Sequence, residues 1–295
     1  MFVKPILVHV HIYYKFLYEE LKNCINSLEG HVYKLVVTLV ENDKEFIEKI
    51  HQDLPDAEVK VVPNLGFDLG PFVHVLNQED LNNYSYVIKL HTKRDIPTKE
   101  DMAWFAGPRW RNALLKFMRT KESFNKALAI MEENPKIGMH GPNIATFNRK
   151  SDDHHAQRVV NKFLEEKGLP RIRYNFIGGT MFMVRASILN FIKDLGITQQ
   201  DFEVPDESHE GCQMAHIFER LCGYMVYKHG LKIVDCTSGV FVSRLIYALL
   251  TIKNVAQRTV FTVRITKKNK LLVKIFKIPV LAIKLKDKTD SSKEN

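Results

Sequence analysis

"PILVHVHIYYKFLYEELKNCINSLEGHVYKLVVTLV", Pro5 to Val40, reads as strand, helix and strand, and it decides the fold. Its first ten residues alternate and are rich in β-formers. KFLYEELKNCINSLEG carries apolar residues at helical spacing and stops at Gly30, and YKLVVTLV is an unbroken apolar run of strand length. The order then repeats: KEFIEKIHQDL is helical, AEVKVVPN a strand, GPFVHVLNQED a helix after a glycine turn, and YSYVIKLHT a strand. Such alternation predicts an α/β fold, an open, mostly parallel, twisted sheet with helices on both faces.

In open sheets of this class, ligands bind beyond the carboxyl ends of the strands. Two loops fall there, NLGFDLG (Asn64 to Gly70) and HTKRD (His91 to Asp95), and they are expected to be neighbours in space. Gly66 and Gly70 can take positive φ or let a ligand approach the backbone, while Asp68 can accept hydrogen bonds from sugar or ribose hydroxyls. The plain alternative is a tight turn in which Asp68 caps the helix that starts near Pro71. GFDLG lacks the spacing of a dinucleotide fingerprint, and no GK[ST] follows to make a phosphate loop. In HTKRD, imidazole and ammonium groups stand where nucleotide-sugar enzymes usually present carboxylates to a metal. His91 and Lys93 could neutralise a diphosphate leaving group directly; solvated loop charges are the alternative.

Trp110 and Arg111, in a Gly-Pro-containing helix entry, offer an aromatic face and a phosphate-reading fork, or else a half-buried tryptophan beside a salt-bridged arginine. RKSDDHHAQRVVNKFLEEKGLPR is polar and reads as a surface insertion with one helix, a candidate acceptor-side loop. Gly178 and Gly179 precede a strand that ends at Arg185. In HEGCQMAHIFER, His216 and Arg220 share a helical face. Glu210 lies just before the helix, where a general base could deprotonate an acceptor hydroxyl, and Glu219 points elsewhere, as a buttress for Arg220 or another cation. Zinc fails on ligand spacing, DDHH reads better as a solvated loop than as a metal site, and no GxSxG elbow supports a hydrolase.

HVHIYY, NLGFDLGPF, YVIKLHTKRD, WR, IGMHGP, FIGGTMFMVR and EGCQMAHIFER together resemble, in order, the rhamnan synthesis protein F family, whose members build rhamnose-containing cell-wall and lipopolysaccharide polymers in bacteria. The resemblance runs from about His9 to Gly230. It implies a glycosyltransferase-type domain of the GT-A kind, which passes a sugar from a nucleotide-diphosphate donor to the hydroxyl of a polysaccharide or lipid-linked saccharide. The family pattern falls on Asn64, Gly66, Asp68, Gly70, His91, Lys93, Trp110, Arg111, Gly178, Gly179, His216, Glu219 and Arg220. Glu210 and Gly211 stand where the family often has an aspartate-glycine pair, and many members are longer, multi-domain chains. A divalent metal, magnesium or manganese, is compatible with the sequence and not required by it.

The chain has 295 residues, 45% hydrophobic and 26% charged, ordinary globular material. Its four cysteines lack paired spacing and read as reduced thiols, which favours the cytosol. MFVKPILVHVHIYY reads as a first strand rather than a signal peptide, and GVFVSRLIYALLTIK is interrupted by Ser243 and Arg244, too short for a spanning helix. The formal charge of +9 lies wholly from Lys253 onward, where twelve basic side chains face three acidic ones. A neutral body argues against nucleic acid as a partner. Residues 1–240 are therefore expected to form the glycosyltransferase-like domain and 241–295 a basic amphipathic segment, interrupted at Pro279, that either contacts an anionic membrane surface or docks on the body. The expectation is a cytoplasmic protein, peripheral at the inner face of the membrane.

Overall fold

The computed structural model describes residues 4–94, 108–142, 144–147, 155–206, 213–235, 261–265, 270–275 and 278–284. The chain divides into two compact units, residues 1–239 and 240–295. The first is built on β1 (Ile6–Ile12), β2 (Tyr33–Leu39), β3 (Glu58–Val61), β4 (Tyr86–His91), β5 (Ile137–His140), β8 (Phe182–Arg185) and β9 (Lys232–Val234), in the order β3-β2-β1-β4-β8-β5-β9. β1 to β4 run parallel, β8 lies antiparallel between β4 and β5, and β9 is parallel to β5. β6 (Ile144–Phe147) and β7 (Tyr174–Ile177) form a separate antiparallel pair.

All seven residues of β1 are buried, so the centre of the sheet is covered on both faces and needs no polar alternation. α1 (Tyr18–Asn26) buries Tyr18, Leu21, Cys24 and Ile25, and α2 (Lys44–Asp53) starts at Asp43, whose carboxylate accepts from the Phe46 N–H. α3 (Leu69–Gln78) packs Phe72 edge-on against Phe182 of β8, and α8 (Gln213–Lys228) closes the same core with Phe218, Leu221 and Tyr224. Each of these fully buried large side chains stabilises the fold by about 1.5–3 kcal/mol. α4 (Pro108–Leu115), α5 (Lys121–Glu133) and the one-turn α7 (Phe191–Asp194) complete the unit with α6 (His155–Glu166).

α6 is not a mere surface insertion: Val160, Asn161 and Leu164 are buried, Val160 and Leu164 in the core that α8 shares. Its polar residues occupy only the other side of an amphipathic helix, which composition alone does not reveal. Asp152, Asp153 and His154 lie outside the described residues.

The second unit contains β10 (Phe261–Ile265), β11 (Lys270–Ile275) and β12 (Ile278–Lys284), an antiparallel meander. Its amphipathic pattern is resolved at strand period: Val263 pairs with Val273 and Val273 with Leu281, whereas Lys270 pairs with Lys284. Pro279 sits in the edge strand β12, beside a register shift at Val273/Lys274, where a missing N–H is tolerated. No helix among the described residues is long and apolar enough to cross a membrane.

Candidate functional site

β1 is the point where the strand order turns, with β2 and β3 on one side and β4 on the other. The carboxyl ends of β1 and β4 are clipped together there. Thr92 donates its N–H to the His11 carbonyl, and its Oγ1 accepts from the N–H groups of Tyr13 and Tyr14 at 2.9 and 3.0 Å. A crevice outside such a switch point is where open α/β sheets bind ligands.

The NLGFDLG turn reaches this edge, and Asp68 turns inward. It occupies the N-cap position of α3 yet makes no capping bond. Its Oδ2 accepts instead from the Lys89 ammonium and, at 2.6 Å, from the Thr180 hydroxyl, with His91 Nδ1 3.4 Å away. Asp68 Oδ1 has no protein partner among the described residues. Lys89 is fully buried and also donates to the Thr180 carbonyl and hydroxyl at 3.1 and 3.2 Å. Burial opposes the charge on Asp68, but neighbouring His91 and Lys89 and the bonds from Lys89 and Thr180 outweigh it and hold the carboxylate well below its usual range. Burial likewise draws Lys89 below an ordinary lysine, against the pull of Asp68.

The glycines of the turn answer to the protein itself. Gly66 has φ +67°, and a Cβ there would run into the Phe202 ring; a Cβ on Gly70 would run into the Leu65 carbonyl. The Gly66 N–H donates to the Glu203 carbonyl at 2.8 Å, and Gln199 donates to the Pro63 carbonyl, so the segment 199–203 clamps the turn from behind. Asn64 is half-buried on the same loop.

His91 does not act as the cation expected of it. It is 4% exposed, and burial lowers its pKa well below that of free imidazole despite the nearby Asp68, so the ring is neutral at pH 7. His9 and His11, on the same strand face of β1, are also buried and neutral, and both bond Thr38 Oγ1, at 2.9 and 3.0 Å. A hydroxyl between two ring nitrogens can donate to one and accept from the other, which ties the two rings through Thr38. Lys93, two residues on from His91, is half-buried, and Arg94 is exposed.

Arg111 on α4 is drawn into protein contacts. Its Nε donates to Glu20 at 2.6 Å and its Nη1 to the Lys93 carbonyl at 3.3 Å, so it braces the loop that carries Lys93. Trp110 lies on the same helix, with only its backbone among the described residues.

Gly178 and Gly179 bring Thr180 to Asp68, and Glu219 meets them from α8. Glu219 accepts from Arg220 at 3.2 Å, the buttress expected of it, and also from the Gly179 N–H at 3.0 Å, which turns it toward this site. Burial raises its pKa, opposed first by Arg220. Arg220 also donates to the His216 carbonyl at 2.8 Å and lies over the Phe176 ring. Glu210, the expected base, lies outside the described residues. Lys89, Thr180 and Thr38 escaped the sequence reading. The signal for Lys89 and Thr38 was a polar residue inside an otherwise apolar strand, VIKLH and VVTLV.

Among the described residues, no three His, Cys, Asp or Glu side chains converge as metal ligands, and Asp68 already faces an ammonium. These residues do not fit a divalent ion.

The family model described as "Rhamnan synthesis protein F" matches residues 2–231. Two curated relatives, both named "Uncharacterized protein WxcX" and from Xanthomonas campestris pv. campestris strains B100 and ATCC 33913, are 24% identical over 243 residues. The match takes in 79% of this chain and 33% of each relative, so the chain spans about a third of their length. Among solved structures, the crystal structure of S. aureus TarS 1–349 is similar at 14% identity and a TM-score of 0.36, over 73% of this chain and 56% of that one.

Proposed function

This chain belongs to the rhamnan synthesis protein F family, and from that premise we propose that it moves a sugar from a nucleotide-diphosphate donor to a hydroxyl of a growing surface polysaccharide. The family name points to rhamnose as the sugar, and the acceptor is taken to be lipid-linked. The observation that carries this reading is the meeting of Asp68, Thr180 and the β4 carboxyl end at the turning point of the sheet. Asn64 and the Gly66–Gly70 turn take the nucleoside end, with Asp68 Oδ1 accepting from a hydroxyl; Lys93 faces the diphosphate.

Glu210 is assigned as general base. The acceptor oxygen bonds to the anomeric carbon as the bond to the diphosphate oxygen breaks, the nucleoside diphosphate leaves with the electron pair, and the proton passes to Glu210. One base and one displacement invert the anomeric centre. The basic meander and its flanks are assigned to an anionic membrane surface on the cytoplasmic side. Deleting Lys253–Asn295 should abolish co-sedimentation with anionic vesicles; unchanged partitioning refutes that assignment.

The decisive experiment is a panel of uridine, thymidine and guanosine diphosphate sugars, dTDP-rhamnose included, read by thermal stabilisation and nucleoside diphosphate release with and without EDTA. One donor is expected to stabilise the chain and turn over in both conditions. No stabilisation and no turnover overturns the reading, and loss on EDTA with rescue by manganese overturns the cation-only site.

A second reading, a non-catalytic sugar- or nucleotide-binding module, is favoured by the commitment of Asp68 Oδ2 and both Glu219 oxygens to protein donors. Glu210→Gln separates the two: transfer lost with binding kept supports catalysis, and an unchanged phenotype supports binding alone.

A further inference from the structure

Lys89 sits at 0% exposure in a strand buried throughout, and no role given above uses it. A buried ion pair is costly to desolvate, and an apolar pair of similar volume is often at least as stable. Stability alone therefore does not account for a lysine here. Its bonds run to two turns far apart in the sequence, the Asp68 carboxylate of one and the Thr180 carbonyl and hydroxyl of the other.

Each turn holds a non-glycine residue in the left-handed region directly after a glycine. Phe67 has φ +56° after Gly66, and Thr180 has φ +53° after Gly179. Side chains rarely adopt this conformation, and they persist in it where surrounding contacts over-determine the backbone, commonly at ligand sites. The second turn is gripped from α8 as well, through the bond from Gly179 to Glu219.

We propose that Lys89 is a positioning residue: its ammonium pins the Gly66–Gly70 turn to the Gly178–Thr180 turn and thereby sets the floor of the donor cleft. What that floor holds is taken from the donor-transfer reading above; the pin itself does not depend on it. The ammonium is taken up by Asp68 and Thr180, so its loss should loosen both turns and weaken donor binding without removing a reacting group.

The test is Lys89→Met in the full chain, with Lys89→Gln, which keeps a neutral donor, in its place if the first does not fold. Amide hydrogen exchange is measured without ligand, and donor KM and kcat with the donor found by the panel. Exchange at both turns should rise about tenfold while β1 and β2 stay unchanged, and donor KM should rise about tenfold with kcat within about threefold. Wild-type exchange at either turn of a folded variant overturns the pin, as does a fall in kcat with donor KM unchanged. A wild-type chain that turns over no donor defeats the transfer reading separately, and exchange alone then decides the pin.

Discussion

The Thr180 hydroxyl donates to Asp68 Oδ2 at 2.6 Å, a bond between residues 112 positions apart. Thr180→Val keeps the branched side chain and removes the donor, leaving a buried carboxylate oxygen one bond short. The expected loss is about 1–3 kcal/mol in urea denaturation at pH 7, whereas Thr180→Ser, which keeps the hydroxyl, should lie within about 1 kcal/mol of wild type. An unchanged midpoint for the valine variant would deny that the bond contributes.

Acid should destabilise the protein well before its carboxylates titrate. Burial lowers His11 to about 4, against the opposing pull of Asp68, and burial lowers His9 and His91 well below the ordinary histidine value. In the unfolded chain each takes a proton below about pH 6.5. The unfolded state then binds more protons than the folded one, so this stability is full above that pH and is lost as pH falls toward 4. Each such histidine adds a slope of about 1.4 kcal/mol per pH unit in that window. Urea midpoints at pH 7, 6 and 5 check this, and His11→Gln should flatten the profile by one proton; a level wild-type profile contradicts it.

Gly66 and Gly168 have nearly the same φ, +67° and +64°, but only Gly66 faces a ring, since nothing lies within 4 Å of a Cβ on Gly168. Gly168→Ala should cost about 1–2 kcal/mol for the left-handed backbone alone. Gly66→Ala should cost roughly 2–5 kcal/mol, because the overpacking against Phe202 adds to it. Phe202→Leu in the Gly66→Ala background should recover part of the difference. Equal losses at the two glycines would rule out Phe202 as the constraint.

Lys93 and Arg111 should separate in kinetics. Lys93→Met removes the charge assigned to the diphosphate and should raise donor KM about tenfold, equivalent to about 1.4 kcal/mol. Arg111→Met breaks the bond to Glu20 and should lower stability by about 1 kcal/mol with a smaller effect on KM. Isothermal titration of the nucleoside diphosphate and urea denaturation read the two effects; a greater KM effect at Arg111 reverses the assignment.

The sheet class was legible because its central strands are buried on both faces, and continuous apolar runs such as YKLVVTLV betray that directly. The direction of β8 was not, since three buried residues and a half-buried arginine read alike in either orientation. His91 was correctly placed at a strand end but given the wrong charge, because burial, which sets its pKa, depends on packing from elements far away in the chain. Asp68 stands out in its glycine turn, while its partner Lys89 does not, since nothing in the sequence says which residues pack around β4. The amphipathic character of the C-terminal segment is legible, but its period is not, because apolar and basic residues interleave in a way that only strand pairing resolves.

The place of β8 bears on how the chain is assembled during synthesis. β4 and β5 are consecutive in the central sheet's sequence order but not in space, for Phe182–Arg185 lies between them. Until that segment has left the ribosome, β4 presents an open edge, and β5 has no neighbour to join it to the rest. Thr180 arrives with the same segment, so Lys89 and Asp68 wait for the hydroxyl that completes their cluster. A nascent chain stalled before Phe182 thus exposes an apolar strand edge, a template for unwanted pairing. The strand that joins the two parts of the sheet thus follows directly on the hydroxyl that completes the Asp68 cluster.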